Sequence, residues 1–69
     1  MMNFFRKQEV RLTVKLLKWH YGRQQLELPG EKMLEIQAED LVDDAHRIAR
    51  DRGKNVLEIL KDLVRDLKK

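Results

Sequence analysis

The chain has 69 residues, no cysteine, 39% charged and 42% hydrophobic side chains, and a formal net charge of +3. This length allows one small domain spanning residues 1–69, and the longest run without a charge, Met1 to Phe5, falls far short of the roughly 20 apolar residues of a membrane-spanning helix. Without cysteine, disulfides, zinc ribbons and thiol catalysis drop out, and Arg6 and Lys7 stand where a secretory signal would continue its apolar run, so a cytoplasmic location is expected.

Leu, Ile, Val and Phe supply 21 of the 69 residues, and the 15 basic and 12 acidic side chains nearly cancel, so neither apolar content nor self-repulsion opposes folding. Size does. A domain this short buries only about 60% of the surface of its unfolded chain, and one core of this length supplies only a few kcal/mol. A homodimer is expected on this ground.

Residues 1–8 are expected to form a flexible N-terminus. From Glu9 to Tyr21, Val10, Leu12, Val14 and Leu16 alternate as a strand would, whereas Val10, Val14, Leu17 and Tyr21 share one helical face, with Leu12, Leu16 and Trp19 adjoining. The segment is long for a strand, whose common length is about five or six residues. A helix over Glu9–Tyr21, ending at Gly22, is therefore predicted; the alternative is a β-hairpin pairing Val10–Leu16 with Gln24–Leu28 across Gly22. Residues 23–30 read as a linker, in which Pro29 biases Leu28 toward extended geometry and Leu26 and Leu28 could pin the link to the core.

The pattern is clearest in Glu31–Arg52. Leu34, Ala38, Leu41, Ala45 and Ile48, widened by Val42 and Ala49, make one apolar stripe at helical spacing. Acids crowd its start and arginines its end, the polarity that a helix dipole favours, and Gly53 stands where a left-handed C-terminal cap belongs. Asn55 followed by Glu58 forms a capping-box-like start for a third helix, Val56–Lys68. Its apolar arc, built on Val56, Leu60, Leu63 and Leu67 and flanked by Leu57, Ile59 and Val64, is wide for one partner. The predicted fold class is all-α: a three-helix bundle of helix, linker, long helix, short turn and helix, with the hairpin followed by two helices as the alternative.

Charge is distributed unevenly. Residues 1–30 carry six basic side chains (Arg6, Lys7, Arg11, Lys15, Lys18, Arg23) against Glu9 and Glu27, a net +4, while residues 31–69 carry nine against ten, a net −1. On a helix, Lys7, Arg11, Lys15 and Lys18 form a basic stripe ending at Trp19, His20, Tyr21 and Arg23, a combination that can hold a phosphate backbone and stack on bases. The plainer expectation pairs that stripe with Glu31, Glu35, Glu39 and Asp43 of an antiparallel long helix, a rim of surface ion pairs. A third possibility lays Phe4, Phe5 and Trp19 on a membrane surface.

Glu39, Asp43 and His46 fall on one helical face and superficially suit half of a carboxylate-bridged metal site, but the apolar stripe of the same helix points elsewhere, so a solvated acidic face is expected and no metal or other cofactor. His20 is expected at the surface or in an interface. The chain has no serine, a single threonine (Thr13), and isolated glycines at 22, 30 and 53, so neither a serine nucleophile nor a phosphate loop is available. No enzyme activity is expected.

The segment RIARDRGKNVLEILKDLVRDLKK resembles the two-helix portion of ribbon-helix-helix DNA-binding proteins, with Gly53, Lys54-Asn55 and Glu58 at the turn and LEIQAED in the place of the ribbon strand. The resemblance implies an intertwined dimer that presents paired strands to DNA and holds phosphate near Lys54 and Asn55. Glu35 and Gln37 depart from the basic or amide residues usual on such a strand. The residues taken together predict a non-enzymatic helical interaction module that self-associates or binds a protein partner through Leu57, Leu60, Val64 and Leu67. The alternative is a small dimeric DNA-binding regulator contacting nucleic acid through Arg6, Lys7, Arg11, Lys15, Lys18 and Arg23.

Overall fold

Local sequence and packing agree on three helices in a computed structural model that describes residues 4–67: α1 (Phe4–Arg23), α2 (Glu31–Arg52) and α3 (Val56–Arg65). No strand occurs among the described residues. The β-hairpin alternative is thereby overturned, and so is the ribbon strand over LEIQAED. Those residues lie inside α2, where Leu34 and Ala38 are buried one turn apart while Glu35 faces solvent. A strand would place Leu34 and Glu35 on opposite faces but would also turn Leu34, Ile36 and Ala38 the same way; Ile36 is exposed.

The first helix is longer than its sequence suggests. It takes in residues 4–8, which were expected to be part of a flexible terminus, and it is held there by the pair of Arg6 with Asp43 at 2.7 Å. Met1–Asn3 lie outside the described residues. At the other end the helix passes through Gly22, ends at Arg23 and turns. The Leu26 N–H donates to the Tyr21 carbonyl at 3.0 Å and the Gln25 N–H to Gly22 at 3.1 Å, with Gln25 itself left-handed at φ 57°. These are the two bonds of a Schellman ending, and half-buried Leu26 and Tyr21 occupy the positions of its usual hydrophobic contact.

The second and third helices follow their signals closely. Gly53 adopts φ 67° and returns its N–H to the Ala49 carbonyl at 2.7 Å, while Asn55 Oδ1 accepts from the Leu57 N–H at 2.8 Å to cap the start of α3. The helix ends at Arg65, short of the expected Lys68, which lies outside the described residues: the Asp66 N–H reaches the Asp62 carbonyl and the Leu67 N–H the Val64 carbonyl, closing the last turn.

All three helices contribute to one core: Val10 and Leu17 from α1; Leu34, Ala38, Leu41, Val42 and Ala45 from α2; Ile59, Leu60 and Val64 from α3. Ala38 and Ala45 are fully buried, and their small side chains let neighbouring helices approach closely. Cross-pairs at both ends, Lys18 with Glu31 and Arg6 with Asp43, show that α1 and α2 run antiparallel. The molecule is flattened, 33 × 26 × 13 Å. Its accessible surface of 5483 Å² exceeds the roughly 4600 Å² of a typical folded monomer of this mass.

Candidate functional site

The inward line of α1 is Val10, Thr13, Leu17 and His20, at spacings of three and four. It is rotated from the face expected from Val10, Val14, Leu17 and Tyr21, because two polar side chains take interior positions. Thr13 is accommodated by donating its hydroxyl to the Glu9 carbonyl at 2.7 Å, one helical turn back. His20, expected at the surface or in an interface, is only 4% exposed, its ring edge-on to Tyr21, and its Nε2 has no hydrogen-bond partner. Val14, Leu16 and Tyr21 are left half-buried on the flanks, and Leu12 and Trp19 are turned outward.

That rotation settles where the basic residues go. Lys18 meets Glu31 at 3.2 Å and Arg6 meets Asp43 at 2.7 Å, so two of the six predicted cations are engaged in the antiparallel seam. The hydrogen bond to Asp43 is the main cause that raises the Arg6 pKa above the usual arginine value, against a smaller opposing effect of burial. Tyr21 adds a hydroxyl donated to Gln37 Oε1 at 3.2 Å. Arg23 stacks over Trp19, 5.1 Å from the ring centroid. Lys7, Arg11 and Lys15 are exposed and take part in no ion pair among the described residues.

Two of the three α2 residues Glu39, Asp43 and His46 are similarly paired with α1. Asp43 serves Arg6, and His46 Nε2 lies 2.7 Å from Glu9 Oε1. Glu39, Asp43 and His46 form no metal-binding group among the described residues.

The four residues expected to mediate association divide. Leu60 is fully buried and Val64 is 2% exposed, so both belong to the chain's own core; Leu67 packs partly against that core, and only Leu57 stands out, 40% exposed. The wide apolar arc of α3 is consumed internally because this short helix packs against both α1 and α2. Leu60 and Val64 are thus part of the chain's own core. Part of the exposed apolar surface follows the junction of α1 and α3, where Leu12 and Leu57 line one groove and Trp19, with half-buried Leu16, another; Phe5, Leu28, Met33 and Ile36 are exposed elsewhere. The sequence places Trp19 beside Leu12 and Leu16, at the end of the basic stripe and in a membrane-surface set with Phe4 and Phe5, but does not pair it with α3.

The first groove, about 770 Å³, runs along α1 past Arg11, Lys15 and Lys18 to Val56 and Leu57, with Glu31 and Glu35 on its far wall. Its charges are mixed. The second, about 440 Å³, is lined by Leu16, Trp19 and Val64, with Lys61 and Arg65 at its mouth and no carboxylate among its lining residues. Arg65 also holds Asp62 at 2.6 Å, and Arg23 covers part of the Trp19 ring. An apolar cleft with a cationic rim favours an apolar side chain that arrives with carboxylates beside it.

No helix among the described residues is long and apolar enough to cross a membrane. Comparison with protein-family models, with curated proteins and with solved structures found no match to this chain.

Proposed function

We propose that this chain is a non-enzymatic helical interaction module whose α1–α3 cleft docks an acidic amphipathic helix. The observation that supports this reading is the cleft itself: Leu16, Trp19 and Val64 form its apolar lining, the charged residues that line it, Lys61 and Arg65, are cationic, with Arg65 also paired to Asp62, and Arg23 lies over the Trp19 ring. An apolar anchor entering between α1 and α3 would cover Trp19, which is 57% exposed, while carboxylates one turn away meet the rim. Large aromatic and arginine side chains are the groups that most often dominate such contacts.

Trp19 is the single tryptophan, so its fluorescence reports the site directly. Titration with a synthetic helical peptide carrying Leu at i, i+3 and i+7 and Glu between them is expected to shift its emission to the blue. Lys61→Glu should weaken binding about tenfold, the size of a modest hot spot. An unchanged spectrum at millimolar peptide would sink the reading.

The exposed Lys7, Arg11 and Lys15 favour a second reading, a module that holds a nucleic-acid backbone along α1 without a ribbon strand. It requires duplex DNA binding that weakens steeply between about 50 and 200 mM salt. Absence of binding at the lower concentration removes it.

A further inference from the structure

We infer that the outward face of α1 rests on an anionic lipid surface, with Phe5, Leu12 and Trp19 entering the bilayer interface and lysine and arginine side chains on its flanks meeting the headgroups. This goes beyond the helix docking proposed above and stands without it. The two share Trp19 and Lys61, so binding of one partner excludes the other.

The first helix is apolar on two faces. Its inward line, with Val10 and Leu17, is spent on the core, whereas Phe5, Leu12 and Trp19 are 75%, 37% and 57% exposed. These three recur every seven residues, two helical turns, so they keep to one line that drifts only about 20° per step and extends about 21 Å along the helix. Half-buried Leu16 fills the interval between Leu12 and Trp19.

The charges beside this line are mostly cationic. Six basic side chains and one carboxylate, Glu9, lie on α1, and Glu9 is held by His46 at 2.7 Å. Lys15 stands three residues after Leu12 and four before Trp19, a surface neighbour of both, and Arg11 and Lys7 continue its edge back toward Phe5. Lys61 and Arg65 border Leu16 and Trp19 from α3. Acids do occur nearby: Asp62 pairs with Arg65, and Glu31 and Glu35 form the far wall of the first groove, Glu31 being paired with Lys18. Lys7, Arg11, Lys15 and Lys61 take part in no ion pair among the described residues.

A line of Phe, Leu and Trp edged by Lys and Arg is the composition of a helix that lies in a membrane interface. Tryptophan favours that boundary, and the long basic side chains can lay their stems along apolar surface while their charges reach the headgroups. Other occupants fit less well. A second copy of the same face would bring cations against cations. A nucleic acid would meet the cations and stack on the aromatic rings, but it offers Leu12 and Leu16 nothing apolar to cover them.

The test mixes the full chain with vesicles of phosphatidylcholine and phosphatidylserine in equal parts, and reads co-sedimentation and Trp19 emission. Binding with a blue shift is expected. Vesicles of phosphatidylcholine alone should bind at least about tenfold more weakly, since each basic residue near an anionic surface contributes about a factor of five. Inorganic phosphate should leave the emission unchanged. Phe5→Gln and Lys15→Glu alter exposed side chains, so their helicity by circular dichroism should match wild type; the first removes an apolar anchor and the second reverses a flanking charge, and each should weaken vesicle binding about tenfold. The inference is overturned if wild type fails to co-sediment with the anionic vesicles, if neutral vesicles bind as well, if phosphate alone reproduces the blue shift, or if both variants bind like wild type. An oligonucleotide that binds where vesicles do not overturns it in favour of the nucleic-acid reading. A chain that binds vesicles but not the acidic peptide keeps this inference and loses the helix docking; the reverse result loses this inference alone.

Discussion

Gln25 holds a left-handed conformation, φ 57°, at the end of α1, where glycine is the usual residue. A β-carbon in that region costs roughly 1–2 kcal/mol, so Gln25→Gly should stabilise the chain by about 0.5–1 kcal/mol after the loss of unfolded-state restriction. The reverse exchange applies at Gly22, which is helical and where an added β-carbon would meet open space: Gly22→Ala should add about 0.5–1 kcal/mol. For a domain of this size each would raise Tm by several degrees, about 4–8 °C per kcal/mol, measurable by thermal denaturation. His20 is a different kind of cost, a buried imidazole with an unpartnered Nε2. His20→Leu keeps an apolar body in the same place and removes the unsatisfied atom, and denaturant titration should show a gain of about 1 kcal/mol. The sequence could mark Gly22 as a breaker but not Gln25, because a Schellman ending is recognised by its backbone bonds and by Leu26 returning toward Tyr21, not by residue type alone.

At the scale of the helix, α3 shows how little surplus a ten-residue element has. Leu60→Ala removes a fully buried side chain and should cost about 2–5 kcal/mol, most or all of the stability of so small a domain; its far-ultraviolet circular dichroism should show a largely unfolded chain. Leu57→Ala, one helical position from the core line, should leave folding within about 1 kcal/mol of wild type. The ion pairs that align α1 with α2 are weaker still. Arg6 and Asp43 are partly exposed, so a double-mutant cycle should return about 0–1 kcal/mol, falling with salt. Because the Arg6 pKa is raised on folding, its contribution is present below the unfolded value and is lost only as pH climbs through the still higher folded value. The Arg6 side of the pair should therefore add no pH dependence to stability near neutrality. The expectation that basic and acidic stripes would meet was legible for Lys18 with Glu31, since both stripes followed helical spacing, but Asp43 pairs with Arg6, which lies outside the basic stripe. Lys7, Arg11 and Lys15 take no part in ion pairs among the described residues because α2 meets α1 along the line from Arg6 to His20, on which they do not lie.

For the whole molecule, a flat arrangement 13 Å thick in one direction leaves side chains on both broad faces, and a partner docked at the α1–α3 cleft would cover part of them. If the α1–α3 cleft docks an acidic helix, raising salt from about 50 to 500 mM should weaken binding of the acidic peptide as surface charges are screened, and Trp19 emission at the two concentrations measures this. The sequence by itself determined the two helices after residue 30, the bounds of α2, the caps at Gly53 and Asn55, and the uneven charge, because periodicity and capping depend on residues a few positions apart; for the first segment it favoured a helix but left a hairpin open. Tertiary structure decided which face of α1 turned inward, placing Thr13 and His20 in the interior and Trp19 outside, and which leucines of α3 were consumed. Those outcomes depend on three helices competing for one small interior, where burying one side chain excludes another, and no local pattern records which side chain wins.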